Sequence, residues 1–351
     1  MEWMRGGPAV QQLSARNRPH CSAVVVVILV LWFAASTAAI SAEVPELHLA
    51  SDIWPPFTDL PDRARVAISL VQTALERAGI EATTTIVDWK QVEAGIRKAT
   101  FDGSAAMWKN DVRERTLLFS EPYLENRLVL VGRKGSDVSA TTINDLAGKR
   151  VAAVARYAYG EEIENAVGVY FVNGRNDQEN LTKLLAGEVE YMLVDELVSR
   201  YLLTHQPDEA TAKLEIGTIP LARRTLHFAI RRDVPGAHKI ITSFNREIRA
   251  MLKDGTYSEI LQVGWIRADV DGDGLDELVP ISDTVGQSPP GSVYDVFGRA
   301  PEDAPEKQRI FIQGNIFEGW DAIPEQYKAQ GSAEPMDSSF YQGTTVFTLK
   351  F

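Results

Sequence analysis

The chain has 351 residues, 45% of them hydrophobic and 24% charged, a globular composition that excludes disordered, collagen-like and fibrous readings. Its length suggests about two domains at roughly 150 residues each. The formal net charge of −12 excludes a general nucleic-acid or anionic-membrane binder, and the single cysteine, Cys21, excludes a disulfide framework or a multi-cysteine zinc site.

The first 22 residues are mostly polar and carry Arg5, Arg16 and Arg18. An unbroken apolar run, Ala23–Ala35, follows, and then mostly small residues up to Ala42. A charged start, a short apolar centre and a small-residue cleavage region predict a signal peptide over residues 1–42. If the small residues are tolerated in lipid, the run reaches the length of a span, so a retained N-terminal membrane anchor is the alternative. Both readings put the remainder outside the cytoplasm, and the expected location is periplasmic. Removing residues 1–42 takes the formal charge to −14 and removes Cys21, so the core alone must stabilise the mature fold.

From Glu46 onward, short apolar strands alternate with amphipathic helices. Leu47–Ala50 reads as a strand, followed by the turn-rich Ser51–Pro61. Apolar residues at helical spacing (Val66, Ile68, Leu70, Val71, Ala74, Leu75) predict a helix over Ala64–Ala78, stopped by Gly79. Thr83–Val87 is β-branched and strand-like, Gln91–Lys98 a short helix, and Ser104–Met107 and Arg127–Gly132 strands. In a second cycle, Thr142 caps a short helix that ends at Gly148. Strands are expected at Arg150–Ala155, Tyr170–Val172, Tyr191–Val194 and Leu226–Ile230. Helices are expected at Glu161–Ala166, Gln178–Leu185, Glu196–Leu203, Ala237–Lys253 and Tyr257–Leu261. This alternation implies an α/β architecture with mostly parallel sheets. After Trp265 the texture changes: Asp269–Glu277 is acidic and Gly-rich, Ser282–Arg299 reads as a loop or linker, Arg309–Phe317 as a hairpin around Gly314, and Thr344–Phe351 as a strand.

Six phrases then line up in order: LASDIWPPF (49–57), VDWKQVEAGI (87–96), NDVRERTLLFSEPY (110–123), INDLAGKRVAAV (143–154), VEYMLVDE (189–196) and DGTYSEILQVGW (254–265). Together they resemble the periplasmic solute-binding proteins of the polar amino-acid type, solute-binding family 3, over about residues 45–266. The resemblance implies a two-lobed periplasmic-binding-protein fold (type II). Lobe one would comprise 43–130 and 222–266, lobe two 131–221, and a C-terminal extension 267–351. It implies an extracytoplasmic protein that captures an amino acid or related small charged solute by lobe closure and presents it to an inner-membrane ABC permease. A periplasmic sensor or adaptor, and a lyase-type enzyme on the same fold, are the competing classes.

Amino-acid chemistry agrees with the residues that carry the resemblance. A zwitterion needs a guanidinium fork for its carboxylate, an ionised carboxylate for its ammonium and an aromatic wall for its stem. Arg113 resembles the family's carboxylate-binding Arg, Asp195 its ammonium-binding Asp, and Trp54 and Trp89 its aromatic walls. Asp195 is equally suited to cap the helix that begins at Glu196. Asn110 stands where a ligand-binding Thr is usual, and Arg156-Tyr157 where the family has Gly-Thr, so Asn110 and Tyr157 complete the candidate set. The loss of hydroxyls and the gain of Lys109 and Arg156 as cations keep a more anionic or bulkier solute open beside a polar amino acid, so the ligand's identity does not carry over. No nucleophile motif such as GxSxG stands out and the five His are scattered, so no enzyme activity and no catalytic residue is expected.

The acidic segment places Asp269, Asp271, Asp273 and Glu277 at loop positions 1, 3, 5 and 9, an arrangement of hard oxygens around glycines that suits Ca²⁺. Pro280 stands at position 12, so it is no complete EF-hand; it resembles the short DxDGDG calcium loops of extracellular repeats. No cofactor is required by this reading, and the expected partners are a small-molecule ligand and a permease or sensor, with the protein monomeric and no nucleic acid involved.

Overall fold

The computed structural model describes residues 46–205, 213–281, 285–286, 288–290, 293–298 and 308–328. The segment expected to be a signal peptide or anchor, residues 1–42, and the strand expected at 344–351 lie outside the described residues. No helix among the described residues is long and apolar enough to cross a membrane.

The first half is built on β1 (Glu46–Ser51), β2 (Glu81–Ile86) and β3 (Gly103–Trp108), with β1 pairing in parallel with both neighbours. Helix α1 (Val66–Arg77) covers them with Val66, Ile68, Leu70, Val71, Ala74 and Leu75, all buried, as the spacing predicts. It stops as expected: Gly79 turns left-handed, its N–H donates to Glu76 O, and Ile80 N donates to Leu75 O, the paired bonds of a Schellman cap. Helix α2 (Trp89–Arg97) starts on a capping box between Asp88 and Gln91, two residues earlier than the expected start at Gln91. A single turn, α3 (Asp111–Glu114), and β4 (Leu117–Phe119) follow.

The second half is built on β6 (Arg150–Val154), β7 (Tyr170–Gly174) and β8 (Tyr191–Asp195), with β6 parallel to both neighbours. Around it lie α4 (Glu161–Glu164), α5 (Asp177–Ala186) and α6 (Glu196–His205). Two ten-residue strands, β5 (Leu124–Arg133) and β10 (Ala222–Arg231), join the halves. Leu124–Leu128 of β5 pairs antiparallel with β10, and Leu128–Gly132 pairs antiparallel with β8, so one strand serves both halves. The short β9 (Leu214–Ile216) also pairs with β5. The sheet is therefore mixed rather than mostly parallel: a chain that leaves one half and returns to it must run its two passages in opposite directions.

Helix α7 (Ala237–Asp254) and helix α8 (Thr256–Leu261) return to pack on the first half. A second sheet then forms, in the order β13 (Tyr294–Asp295), β11 (Trp265–Ala268), β12 (Glu277–Pro280), β14 (Arg309–Ile312), β15 (Asn315–Glu318). It has a small core of its own, including Trp265, Leu278, Val293, Ile310 and Ile323. The expected hairpin is present, turning through Gln313 and Gly314, both left-handed, as a two-residue hairpin requires. The stretch read as a linker delivers β13, which docks on β5: the Arg127 guanidinium lies 4.1 Å from the Tyr294 ring centroid, and Asp295 N donates to Glu125 Oε2 at 3.2 Å.

Candidate functional site

The side chains that converge all follow the carboxyl ends of parallel strands, where open α/β sheets place their crevice. Asp52 and Trp54 follow β1, Trp108 ends β3, and Arg156 and Tyr157 follow β6. Asp52, Trp54, Trp89, Trp108, Arg113 and Tyr157 line one cavity. Four of the six sequence-predicted ligand contacts (Trp54, Trp89, Arg113, Tyr157) are thus brought together.

The Tyr157 ring lies edge-on to three tryptophans, with centroid distances of 5.8 Å to Trp54, 6.1 Å to Trp89 and 5.4 Å to Trp108. Its hydroxyl donates to Asp52 Oδ2 at 3.1 Å, linking the two halves of the sheet. With this ring in place the cavity holds about 20 Å³, room for a single water. Arg156 backbone φ is 70°, a left-handed conformation that a side-chain-bearing residue adopts at a cost of roughly 1 kcal/mol, and it delivers Tyr157 into the cage.

Arg113 is fixed from several sides. Its own N–H donates to Asn110 Oδ1 at 2.9 Å, its Nη1 to Trp108 O at 2.6 Å and its Nη2 to Arg156 O at 3.3 Å. The guanidinium carbon stands 4.9 Å from the Trp89 ring centroid, a cation–π contact. Burial lowers its pKa, opposed by the charges of Glu93 and Asp52. Burial likewise pushes the Asp52 carboxyl up to about 6, although the Tyr157 hydrogen bond and the Arg113 charge pull it down. The two charges feel each other but form no ion pair. The Trp89 indole N–H, in the same wall, is buried without a hydrogen-bond partner.

Two predicted contacts lie elsewhere. Asn110 is off the cavity; it caps α3 and so positions Arg113. Asp195 is also off the cavity and only 2% exposed. Its Oδ1 accepts from Leu197 N at 2.7 Å and Val198 N at 3.3 Å, and its Oδ2 from Asn126 Nδ2 and Arg127 N, both at 3.1 Å. It is the cap of α6 and a tie to β5, and burial pushes it up to about 7. A relay connects it to the cavity wall, because Trp108 Nε1 donates to Asn126 Oδ1 at 2.7 Å. The carboxylate on the cavity is Asp52, which sequence reasoning missed although it sits inside the phrase LASDIWPPF; its place just beyond a parallel strand was the available signal. Trp108 was missed as well. Lys109 pairs with Glu114 at 2.7 Å, away from the cavity.

Carboxylate oxygens of Asp269, Asp271 and Asp273 lie within 4.8 Å of one another. Arg309 enters this group: Nη1 is 2.9 Å from Asp273 Oδ2 and 3.0 Å from the buried Glu277 Oε1, and Nη2 is 3.4 Å from Asp271 Oδ2. Asp269 accepts from Gly272 N at 2.6 Å and Gly274 N at 3.2 Å. The donor chemistry fits a hard cation, which would compete with Arg309 for the same oxygens.

The profile of the bacterial extracellular solute-binding proteins, family 3, matches residues 51–266. The L-cystine-binding protein TcyJ of Escherichia coli is 25% identical over 222 residues, spanning 62% of this chain and 80% of that protein. The L-cystine-binding protein TcyA of Bacillus subtilis is 24% identical over 205 residues, spanning 58% of this chain and 72% of that protein. Among solved structures, a mutant of ArgBP from T. maritima superposes with a TM-score of 0.53 at 22% identity, over 62% of this chain and 93% of that one.

Proposed function

The chain belongs to family 3 of the bacterial extracellular solute-binding proteins, with their two-lobed α/β fold, and from that premise we propose that it captures an amino acid or related amine-bearing solute between its lobes and presents it to an ABC permease. The observation that carries this reading is the convergence of Asp52 and Arg113 in an aromatic cage with no ion pair between them, Arg113 having only Glu93 at 3.9 Å as a carboxylate contact. A carboxylate and a guanidinium held near each other without an ion pair are matched to the ammonium and carboxylate of one zwitterion. The Trp89 N–H is a further donor for the ligand's carboxylate.

Tyr157 indicates what the cage accepts: an apolar or flat body with a hydrogen-bond donor at Asp52. A ligand enters as this ring leaves, which requires the lobes to part at the Tyr157–Asp52 and Arg113–Arg156 contacts. Asp52 and Arg113 both belong to the first half, so the bridging partners from the second half are Tyr157 and Arg156 rather than Asp195. Open and closed forms then exchange, and a ligand that touches both lobes favours the closed one.

A sensor or adaptor role is a second reading. It is supported by the docking of β13 on the crossing strand β5, which gives the C-terminal sheet a contact with the segment that lobe closure bends.

The experiment is a thermal-shift and calorimetric screen of amino acids, cystine included, and of simple amines. The expected result is a rise in melting temperature with a zwitterionic ligand, abolished by Asp52→Asn. If no amino acid or amine binds the full chain at millimolar concentration, the proposal is wrong.

A further inference from the structure

Beside the cage lies a larger open groove of about 620 Å³, lined by six arginines: Arg97, Arg113, Arg115, Arg156, Arg231 and Arg232. They come from α2, α3, the segment after β6 and the end of β10, so four distant stretches of the chain converge on it. The groove contains two carboxylates, Glu93 and Asp233. Glu93 pairs with Arg156 at 3.2 Å and with Arg113 at 3.9 Å, and Asp233 pairs with Arg231 at 2.8 Å. Arg232 donates to a backbone oxygen, Glu114 O, at 2.8 Å. Arg97, Arg115 and Arg232 therefore have no carboxylate partner among the described residues.

In a chain of net charge −12, three such guanidiniums around one groove are a local reversal of sign. Mutual repulsion disfavours the arrangement, and an anion in the groove relieves it. Guanidinium forks bind phosphate and carboxylate oxygens bidentately, and several at once select a ligand with more than one negative charge. Met107 and Arg113 line both the groove and the cage, so the two spaces adjoin.

We propose that the arginine groove is an anion-binding site for a solute, or a part of a solute, that carries two or more clustered negative charges as phosphoryl or carboxylate groups. This goes beyond the amine-binding role of the cage and does not require it.

The test is calorimetry on the full chain at low ionic strength with pyrophosphate and with citrate as probes, and acetate as the singly charged control. The wild type is compared with the triple variant Arg97→Ala/Arg115→Ala/Arg232→Ala, whose three side chains are exposed. The proposal expects one probe to bind and acetate not to, affinity to fall steeply with added salt, and the triple variant to lose at least tenfold in affinity with its melting temperature unchanged. Tighter binding of pyrophosphate assigns the groove to phosphoryl groups, and tighter binding of citrate assigns it to polycarboxylates. Absence of binding by both probes, or equal affinity in the triple variant, overturns it. Amino-acid binding is scored separately: amino acids without anions would sink the groove and keep the cage, and anions without amino acids would do the reverse.

Discussion

Arg113 and Arg309 both stand among carboxylates, yet the two surroundings have opposite consequences. Arg309 touches Asp271, Asp273 and Glu277 directly, in a loop whose remaining oxygens accept backbone N–H groups. Its charge is satisfied within the chain, and the grouping ties β14 to the acidic loop. Arg113 is held by backbone carbonyls and an indole face, with Glu93 only at 3.9 Å, and the nearby Asp52 is reached by the Tyr157 hydroxyl instead. Asp52 and Arg113 line the same cavity without an ion pair between them. The first cluster is closed on itself, whereas the second leaves a carboxylate and a guanidinium unpaired with each other on a cavity wall, as the proposed binding role requires.

That contrast is broken or sharpened by substitution. The largest expected effect is at the paired site. Arg309→Ala leaves Glu277 buried and uncompensated and lowers stability by about 3 kcal/mol, measured by denaturant unfolding. Calcium then replaces the lost charge, so the melting temperature of this variant rises with millimolar calcium while the wild type responds little. Equal responses in both proteins would show that Arg309 and calcium do not share the same oxygens. Asp195→Ala comes next, with a loss of about 2 kcal/mol, because four donors lose their acceptor. An unchanged unfolding midpoint would contradict its reading as a cap.

At the binding site, Arg113→Ala lowers ligand affinity at least tenfold, about 1.4 kcal/mol, with a smaller change in stability. Unchanged affinity in calorimetry removes Arg113 from the site. The pH dependence is the mildest effect, at most about 1.4 kcal/mol per pH unit for each proton. Burial pushes Asp52 up to about 6, Asp195 and Glu277 to about 7 and Asp177 to about 8. A raised carboxyl pKa means the folded state binds the proton more tightly, so this stability is present below about pH 4 and is lost as pH rises toward 8. His227, lowered to about 4 by burial, acts oppositely and loses its contribution as pH falls from about 6.5 to 4. With four groups against one, unfolding is expected at lower denaturant at pH 8 than at pH 5.5; the reverse order would contradict the burial of these carboxyls in the folded state.

Much of this was legible in the sequence because it is local. The helix over 66–77 follows from its spacing and its glycine stop, and Trp54, Trp89 and Arg113 stand in short phrases that resemble the family. Asp195 was ambiguous for a physical reason: a carboxylate between a strand and a helix satisfies a cap and a ligand site equally well, and only its hydrogen bonds decide. Asp52 is one acidic residue in a turn-rich stretch, and only the folded sheet, by placing the end of β1 on the same cavity as Arg113, gives it a role. Arg309 joins an acidic loop more than thirty residues before it through a strand pairing, and the groove arginines meet from four separate stretches. Neither convergence leaves a mark in any local window.

The most direct measurement is a crystal structure of the full chain with its best amino-acid ligand bound. The expected result is the ligand's ammonium on Asp52, its carboxylate on Arg113, and the Tyr157 ring displaced from between the three tryptophans. An ammonium seated on Asp195, with the Tyr157 hydroxyl still on Asp52, would contradict it.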